Sequence, residues 1–220
     1  MVRRRASRTL SVVSSRRQNI ADGPRGSTRR VVLEGLPGAG KTTLATRLSV
    51  ALDAPVVPEW VGFTDREWTR WPLHRPFYFA NDELKESLAR LVAAPWVVLD
   101  RHYVSTLAFA WALDGEGQVN TRADESWEGN LAWLLAARAE GRLSCPDVIV
   151  WLDLDPALSL ARQPRARAFD PIWGDVERLA AMRRGYEHLF SRHEPSARVV
   201  RLDASRPADA VFAQVLELLR

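Results

Sequence analysis

Gly35-Leu36-Pro37-Gly38-Ala39-Gly40-Lys41-Thr42 decides the reading of this chain. It fits G-x-x-x-x-G-K-[ST] without departure. It follows an apolar segment expected to be a strand, Val31–Glu34, and opens a segment with helical periodicity. Glycines in such a turn let the backbone wrap so that successive N–H groups point at phosphate oxygens. The N-terminus of the following helix adds partial positive charge. Gly35, Pro37, Gly38, Ala39, Gly40, Lys41, Thr42 and Thr43 are therefore the candidate nucleotide-binding residues. Lys41 is a compact ammonium suited to the β- and γ-phosphates, and the Thr42 hydroxyl suits Mg²⁺. Lysine occurs only at positions 41 and 85, so its use here is informative: a guanidinium is too large and planar for that slot.

Working outward, five apolar segments read as buried parallel strands: Val31–Glu34, Pro55–Pro58, Trp96–Asp100, Val148–Leu152 and Arg198–Leu202. Helical periodicity lies between them. Leu44, Leu48, Ala51 and Leu52 make one face, and Leu84, Leu88, Leu91 and Val92 another. Leu131, Leu134, Leu135 and Arg138 make a third, stopped by Gly141. Val176, Leu179, Met182, Tyr186 and Leu189 stripe a long helix. Pro207 opens the last one, with Ser205 as its expected cap. This alternation predicts an α/β fold with a five-stranded parallel sheet and helices on both faces. Ligands in such sheets bind beyond the carboxyl ends of the strands.

A second strand end carries Asp100-Arg101. A carboxylate beside the phosphate loop can hold Mg²⁺, and the neighbouring guanidinium can aim a fork of donors at the acceptor or the transferring phosphate. Thr42 and Asp100 are thus the candidate metal ligands. Asp100 could instead only cap the following helix.

The chain has 220 residues, enough for one domain with a real core, and a formal charge of +4. Residues 1–30 hold nine Arg and one acid, a net of +8, so the remainder carries −4. The basic balance belongs to a leader, residues 1–29, expected to be disordered, while the body, residues 30–220, is mildly acidic. That distribution argues against a nucleic-acid module. The leader reads as a flexible extension, a phosphate- or membrane-attracted arm, or an organellar transit peptide. One cysteine, Cys145, excludes an internal disulfide and fits a reducing cytoplasm, and no apolar run has membrane-spanning length.

The segments around these motifs resemble the thymidylate kinase and deoxynucleoside kinase superfamily across roughly residues 30–219. Leu99-Asp100-Arg101-His102-Tyr103-Val104-Ser105-Thr106-Leu107-Ala108-Phe109 is similar to the thymidylate kinase Asp-Arg-Tyr segment. Arg201-Leu202-Asp203-Ala204-Ser205 resembles the turn that borders the adenine of ATP. Leu152-Asp153-Leu154-Asp155-Pro156 with Arg162, Arg165 and Arg167 resembles the strand and lid whose arginines clamp the transferring phosphate. The resemblance implies a nucleoside-monophosphate-kinase fold with a lid, ATP and Mg²⁺ as cofactors, a small-molecule acceptor, and frequent homodimerisation.

Two departures bear on the acceptor. Val56-Val57-Pro58-Glu59-Trp60 resembles the deoxynucleoside kinase Glu-Pro segment, which makes Glu59 the expected base for a hydroxyl. In Phe77-Tyr78-Phe79-Ala80-Asn81-Asp82-Glu83, Glu83 stands where thymidylate kinases carry a phosphate-gripping Arg. A carboxylate facing a phosphate there would repel it. Expected acceptor contacts are Glu59, Trp60, Phe77, Asn81 and Arg101, with Trp68, Trp71 and Tyr78 also in the aromatic cluster. The stretch Asp114–Asp124, with Gly115 and Gly117, reads as an exposed loop and is uninformative about chemistry. A thymidylate kinase, an antibiotic- or metabolite-modifying phosphotransferase, and a nucleotide-binding switch ATPase remain the alternatives to a nucleoside-like hydroxyl kinase.

Overall fold

The computed structural model describes residues 28–61, 75–114, 126–163, 174–192 and 197–220. Expectations for the leader, for Trp68 and Trp71, for the 115–124 loop, and for Arg165 and Arg167 lie outside them. The described strands are β1 (Arg29–Gly35), β2 (Val56–Val57), β3 (Trp96–Asp100), β4 (Val148–Asp153) and β5 (Arg198–Asp203). They form one parallel sheet in the order β2-β3-β1-β4-β5. The phosphate loop leaves the central strand and Asp100 the strand beside it. β2 is shorter than its apolar run because Pro55 and Pro58 have no N–H to extend the ladder.

The described helices are α1 (Lys41–Leu52), α2 (Arg75–Arg90), α3 (Tyr103–Asp114), α4 (Trp127–Ala139), α5 (Pro156–Arg162), α6 (Val176–Arg192) and α7 (Ala208–Leu219). Alternate residues of the strands feed two cores. Val31, Leu33, Val98, Val150 and Leu152 pack with Leu44 and Leu48 of α1 and Val211, Val215 and Leu219 of α7. Val32, Val97, Leu99, Ile149 and Trp151 face the other way, onto Tyr103 and Leu107 of α3, Leu134 of α4, and Met182, Tyr186 and Leu189 of α6. Burial on both faces is why the strands are apolar throughout rather than alternating. Leu48 is fully buried, and truncating it to Ala would cost about 2–5 kcal/mol.

Several details differ from the periodicity reading. Ala51 is exposed, and Leu135 and Val176 are largely outside the core. Ser205 does not cap α7: its hydroxyl donates to Asp203, and Pro207 occupies the cap position. The largest difference is α2. Leu84 and Leu91 face outward, the latter 80% exposed, while Phe79, Asp82, Lys85, Glu86 and Ala89 turn inward. α2 lies over the carboxyl ends of β2 and β3, where strand carbonyls have run out of N–H partners, so a polar face is what the site below it requires.

α3 and α6 approach closely at Gly185, where a Cβ would lie 2.9 Å from Trp111 Cβ and 3.0 Å from the Ala108 carbonyl oxygen. This contact sets Tyr186, the next residue, against the end of β1.

Candidate active site

The phosphate loop is built on backbone that only glycine adopts readily. Gly35 has φ +139°, and a Cβ there would stand 2.3 Å from the Leu152 carbonyl oxygen of β4. Gly40 is left-handed, φ +91°, at the cap of α1. The loop is braced from outside by α5, whose buried Ser159 hydroxyl donates to the Pro37 carbonyl at 2.7 Å. Lys41 folds across the loop, donating to the carbonyls of Gly35 at 3.1 Å and Leu36 at 2.8 Å. Burial, with Arg101 adding to it, brings its ammonium down to about 7, against the opposing pull of Glu59, Asp100 and Glu34. A bound phosphate would reverse that balance by supplying negative charge.

The two candidate metal ligands meet. The Thr42 hydroxyl donates to Asp100 Oδ2 at 2.6 Å, across the gap between α1 and β3. Asp100 Oδ1 is buried with no hydrogen-bond partner. A hydroxyl and a carboxylate with a spare oxygen make a hard, all-oxygen donor set, which fits Mg²⁺.

Arg101 follows in left-handed conformation, φ +65°. Its Nη1 donates to the Gly35 carbonyl at 2.9 Å, the Ser105 hydroxyl at 2.9 Å and the Tyr186 hydroxyl at 3.2 Å. Its Nε pairs with Glu59 Oε1 at 2.9 Å, which joins the end of β2 to the end of β3. Beneath it lies Glu34, fully buried on β1. That carboxyl accepts from the His102 N–H at 3.0 Å, from Tyr186 at 3.3 Å, and from the Ser105 hydroxyl. Burial pushes Glu34 up to about 7, only partly offset by Ser105, Arg101, His102 and Lys85.

Beyond this wall opens a second cavity, lined by Glu59, Trp60, Tyr78, Asp82, Lys85, Arg101, Ser105, Thr106, Phe109 and Met182 among others. Glu59 and Arg101 also line the cavity of about 310 Å³ over Pro37, Gly38, Gly40, Lys41, Thr42 and Thr43. These two side chains are the shared partition between phosphate loop and inner pocket. Trp60, Tyr78 and Phe109 meet in series as tilted ring pairs, with centroids 5.7 Å apart at each step. Phe77 backs Trp60 at 5.5 Å and is not among the lining residues.

Asn81 lines this cavity, and its amide is anchored to the main chain. Its Oδ1 accepts from the Val61 N–H and its Nδ2 donates to the Glu59 carbonyl, both at 3.0 Å. Glu83, by contrast, does not line the pocket: it forms an ion pair with Arg142 on the outer side of α2. The carboxyl inside is Asp82, bonded by the Thr106 hydroxyl at 2.7 Å and raised by burial to about 7.

On the far side of the phosphate loop a cavity of about 390 Å³ is lined by Ala39, Gly40, Thr43, Arg47, Arg162, Ala204 and Arg206, among others. Ala204 thus shares this cavity with Gly40 and Thr43 of the phosphate loop. Arg162 donates to the Ala204 carbonyl at 2.8 Å, so in this conformation it is turned to that cavity and away from the phosphate partition.

Sequence reasoning did not single out Glu34, Asp82, Lys85 or Tyr186. Two of them carried a signal. Glu34 is a lone acid closing an apolar run, and Lys85 is the second of two lysines in an arginine-rich chain. Tyr186 looked like any core position of an apolar stripe.

Residues 30–155 match the AAA domain family. A thymidylate kinase of Shewanella amazonensis is 26% identical over 212 residues, covering 86% of this chain and 94% of that protein. A deoxyadenosine kinase from M. mycoides, solved with bound dATP, superposes with a TM-score of 0.68 at 14% identity, covering 86% of this chain and 98% of that one. The thymidylate kinase of Candida albicans gives 0.67 at 20% identity, covering 88% and 91%. The chain belongs to the AAA domain family, and its five-stranded parallel sheet with the phosphate loop on the central strand is the fold of these deoxyadenosine and thymidylate kinase structures.

Proposed function

We propose that this protein transfers the γ-phosphate of ATP to a hydroxyl of a nucleoside-like small molecule. The observation that carries this reading is the partition: one carboxylate, Glu59, and one guanidinium, Arg101, face both the phosphate loop and the inner pocket. An acceptor hydroxyl lying against Glu59 gives up its proton to that carboxylate. Its oxygen forms the new bond to the γ-phosphorus, and the bond to the β–γ bridging oxygen breaks, leaving ADP. Arg101 is placed to steady charge on the transferring group, and Lys41 that on the leaving phosphates. Thr42 and Asp100 would hold Mg²⁺, which when bound neutralises charge on the β- and γ-oxygens.

The pocket's charge supports a hydroxyl over a phosphate acceptor. Its two cations are engaged, Lys85 with main-chain carbonyls and Arg101 with Glu59, while Glu59 and Asp82 both line it. A phosphate dianion there would meet carboxyl groups and cations already in use. The inner free space is about 40 Å³, so an acceptor enters by displacing Trp60 and its ring neighbours. The 26% identity to a thymidylate kinase favours the second reading, a monophosphate acceptor.

ADP release from Mg·ATP across nucleosides, their monophosphates and unrelated hydroxyl metabolites separates the two, with Lys41→Ala as blank. Nucleosides are expected to stimulate turnover. Equal or better turnover of dTMP overturns the hydroxyl assignment. Nucleotide binding without stimulation by any acceptor would point to a switch ATPase.

A further inference from the structure

Lys85 has no place in the reaction just described, yet it is fully buried directly behind it. Its ammonium donates to three main-chain carbonyls: Asp100 at 2.6 Å, Arg101 at 2.7 Å and Glu59 at 3.3 Å. Three donors thus meet three acceptors: Asp100, which ends β3, Arg101 just after it, and Glu59, two residues beyond β2. Consecutive carbonyls of an extended strand point to opposite sides. Those of Asp100 and Arg101 converge on a single nitrogen because Arg101 is left-handed, φ +65°, a conformation that a non-glycine residue holds only when its surroundings over-determine it. One turn earlier on α2, Asn81 holds the same β2 end, bridging the Glu59 carbonyl and the Val61 N–H.

The geometry points to Lys85 as a positioning residue for phosphoryl transfer: by tying the main chains of Glu59, Asp100 and Arg101 to one ammonium, it sets the spacing between the proton-accepting carboxylate, the metal-binding carboxylate and the guanidinium. This inference rests on the kinase reading above. Lys85 reaches no acceptor atom in this role; it acts through the strand ends. Arginine cannot substitute, because a planar fork cannot converge three donors on three carbonyls around one centre. The requirement explains why one of two lysines in the chain sits here.

The test compares Lys85→Met, Lys85→Arg and Lys85→Ala with wild type in acceptor-stimulated ADP release, nucleotide affinity and thermal melting. Positioning predicts that kcat falls about 10- to 100-fold in Lys85→Met, because sub-ångström placement of reacting groups governs the rate. Acceptor KM and nucleotide Kd stay within about threefold of wild type, the range in which uniform binding is unaltered. Lys85→Arg is expected to be no better than Met. Added methylammonium restores part of the Lys85→Ala rate, and tetramethylammonium, which has no N–H, does not. Wild-type kcat in Lys85→Met overturns the inference. So does a raised acceptor KM with kcat intact, which would make Lys85 an acceptor ligand.

Should the lysine variants lose their cooperative melt, Asn81→Ala, which removes the bridge between the Glu59 carbonyl and the Val61 N–H on a residue that also lines the pocket, must still lower kcat, and an unchanged kcat there counts against the proposal. A wild-type protein that turns over with no acceptor overturns the kinase reading and this inference together. Normal wild-type turnover with an indifferent Lys85→Met overturns this inference alone.

Discussion

Replacing Glu59 by Gln tests the reaction at its most exposed assumption. The substitution keeps the shape of the side chain and an oxygen that Arg101 can approach, and removes only the charge and the proton-accepting capacity. Its stability cost follows from the geometry. The Glu59–Arg101 pair is close, 2.9 Å, but the Glu59 side chain is 36% exposed, so solvent screens much of the attraction. A loss of about 1 kcal/mol is expected, which for a chain of this length lowers Tm by about 2–4 °C. The kinetic cost is far larger. Removing a positioned general base lowers kcat by about 10²- to 10⁴-fold, equivalent to about 3–5 kcal/mol of barrier. Nucleotide affinity is not lost, since the loop N–H groups and Lys41 remain and one negative charge leaves the phosphate cavity. The assay is steady-state ADP release with the best acceptor, alongside a melt and a nucleotide titration. A Glu59→Gln enzyme that keeps a third or more of wild-type kcat would refute the base assignment. A kcat loss accompanied by a Tm drop beyond about 10 °C would instead mark Glu59 as structural.

Two further outcomes are expected. Gly35→Ala forces a Cβ to within 2.3 Å of the Leu152 carbonyl oxygen on a backbone at φ +139°. With β4 rigidly paired on both sides, a destabilisation of about 3 kcal/mol or more should appear in urea unfolding, and an unshifted midpoint would contradict the close approach. Burial raises the folded Glu34 carboxyl from 4.5 to about 7. Between those values the unfolded chain has released a proton that the folded chain keeps, so stability falls as pH rises through that window. The drop attributable to Glu34 reaches about 3 kcal/mol above pH ~7. Asp82, raised from 3.8 to about 7, acts in the same direction. Glu34→Gln should therefore show a visibly shallower decline of Tm between pH 5 and 8 than wild type; identical slopes would mean that Glu34 ionises normally.

How much of this was legible beforehand depended on the kind of signal. The phosphate loop, the five strands and the Asp100-Arg101 strand end are local patterns, and each lies where it was expected, within two residues at the strand ends. Glu59 and Arg101 were named separately, and their pairing at 2.9 Å comes from folding. The misreadings cluster on α2. Leucine spacing pointed to a face of Leu84, Leu88, Leu91 and Val92, of which Leu88 and Val92 pack on the core while Leu84 and Leu91 are exposed, and the helix also buries Asp82, Lys85 and Glu86. Apolar periodicity finds the buried face only when what lies beneath is apolar, and beneath α2 are strand-end carbonyls that take their hydrogen bonds from Lys85 and Asn81. Glu83 was misplaced for the same reason: helix rotation sends its carboxylate outward to Arg142, while Asn81 stays on the pocket wall with its amide anchored at Glu59.

The amino-acid sequence by itself determined the fold class, the nucleotide cradle and the candidate metal pair. These depend on short-range rules: glycine's freedom at positive φ, the helix terminus after the turn, and apolar runs that need cover on both faces. Tertiary structure alone decided that Glu34 and Tyr186 underlie Arg101, that Lys85 gathers three main-chain oxygens, and that Arg162 turns toward Ala204. Those contacts join residues up to 152 positions apart. Their partners are often backbone oxygens, which every residue possesses and no sequence pattern marks, so only the packed sheet and its covering helices select which side chain meets which carbonyl.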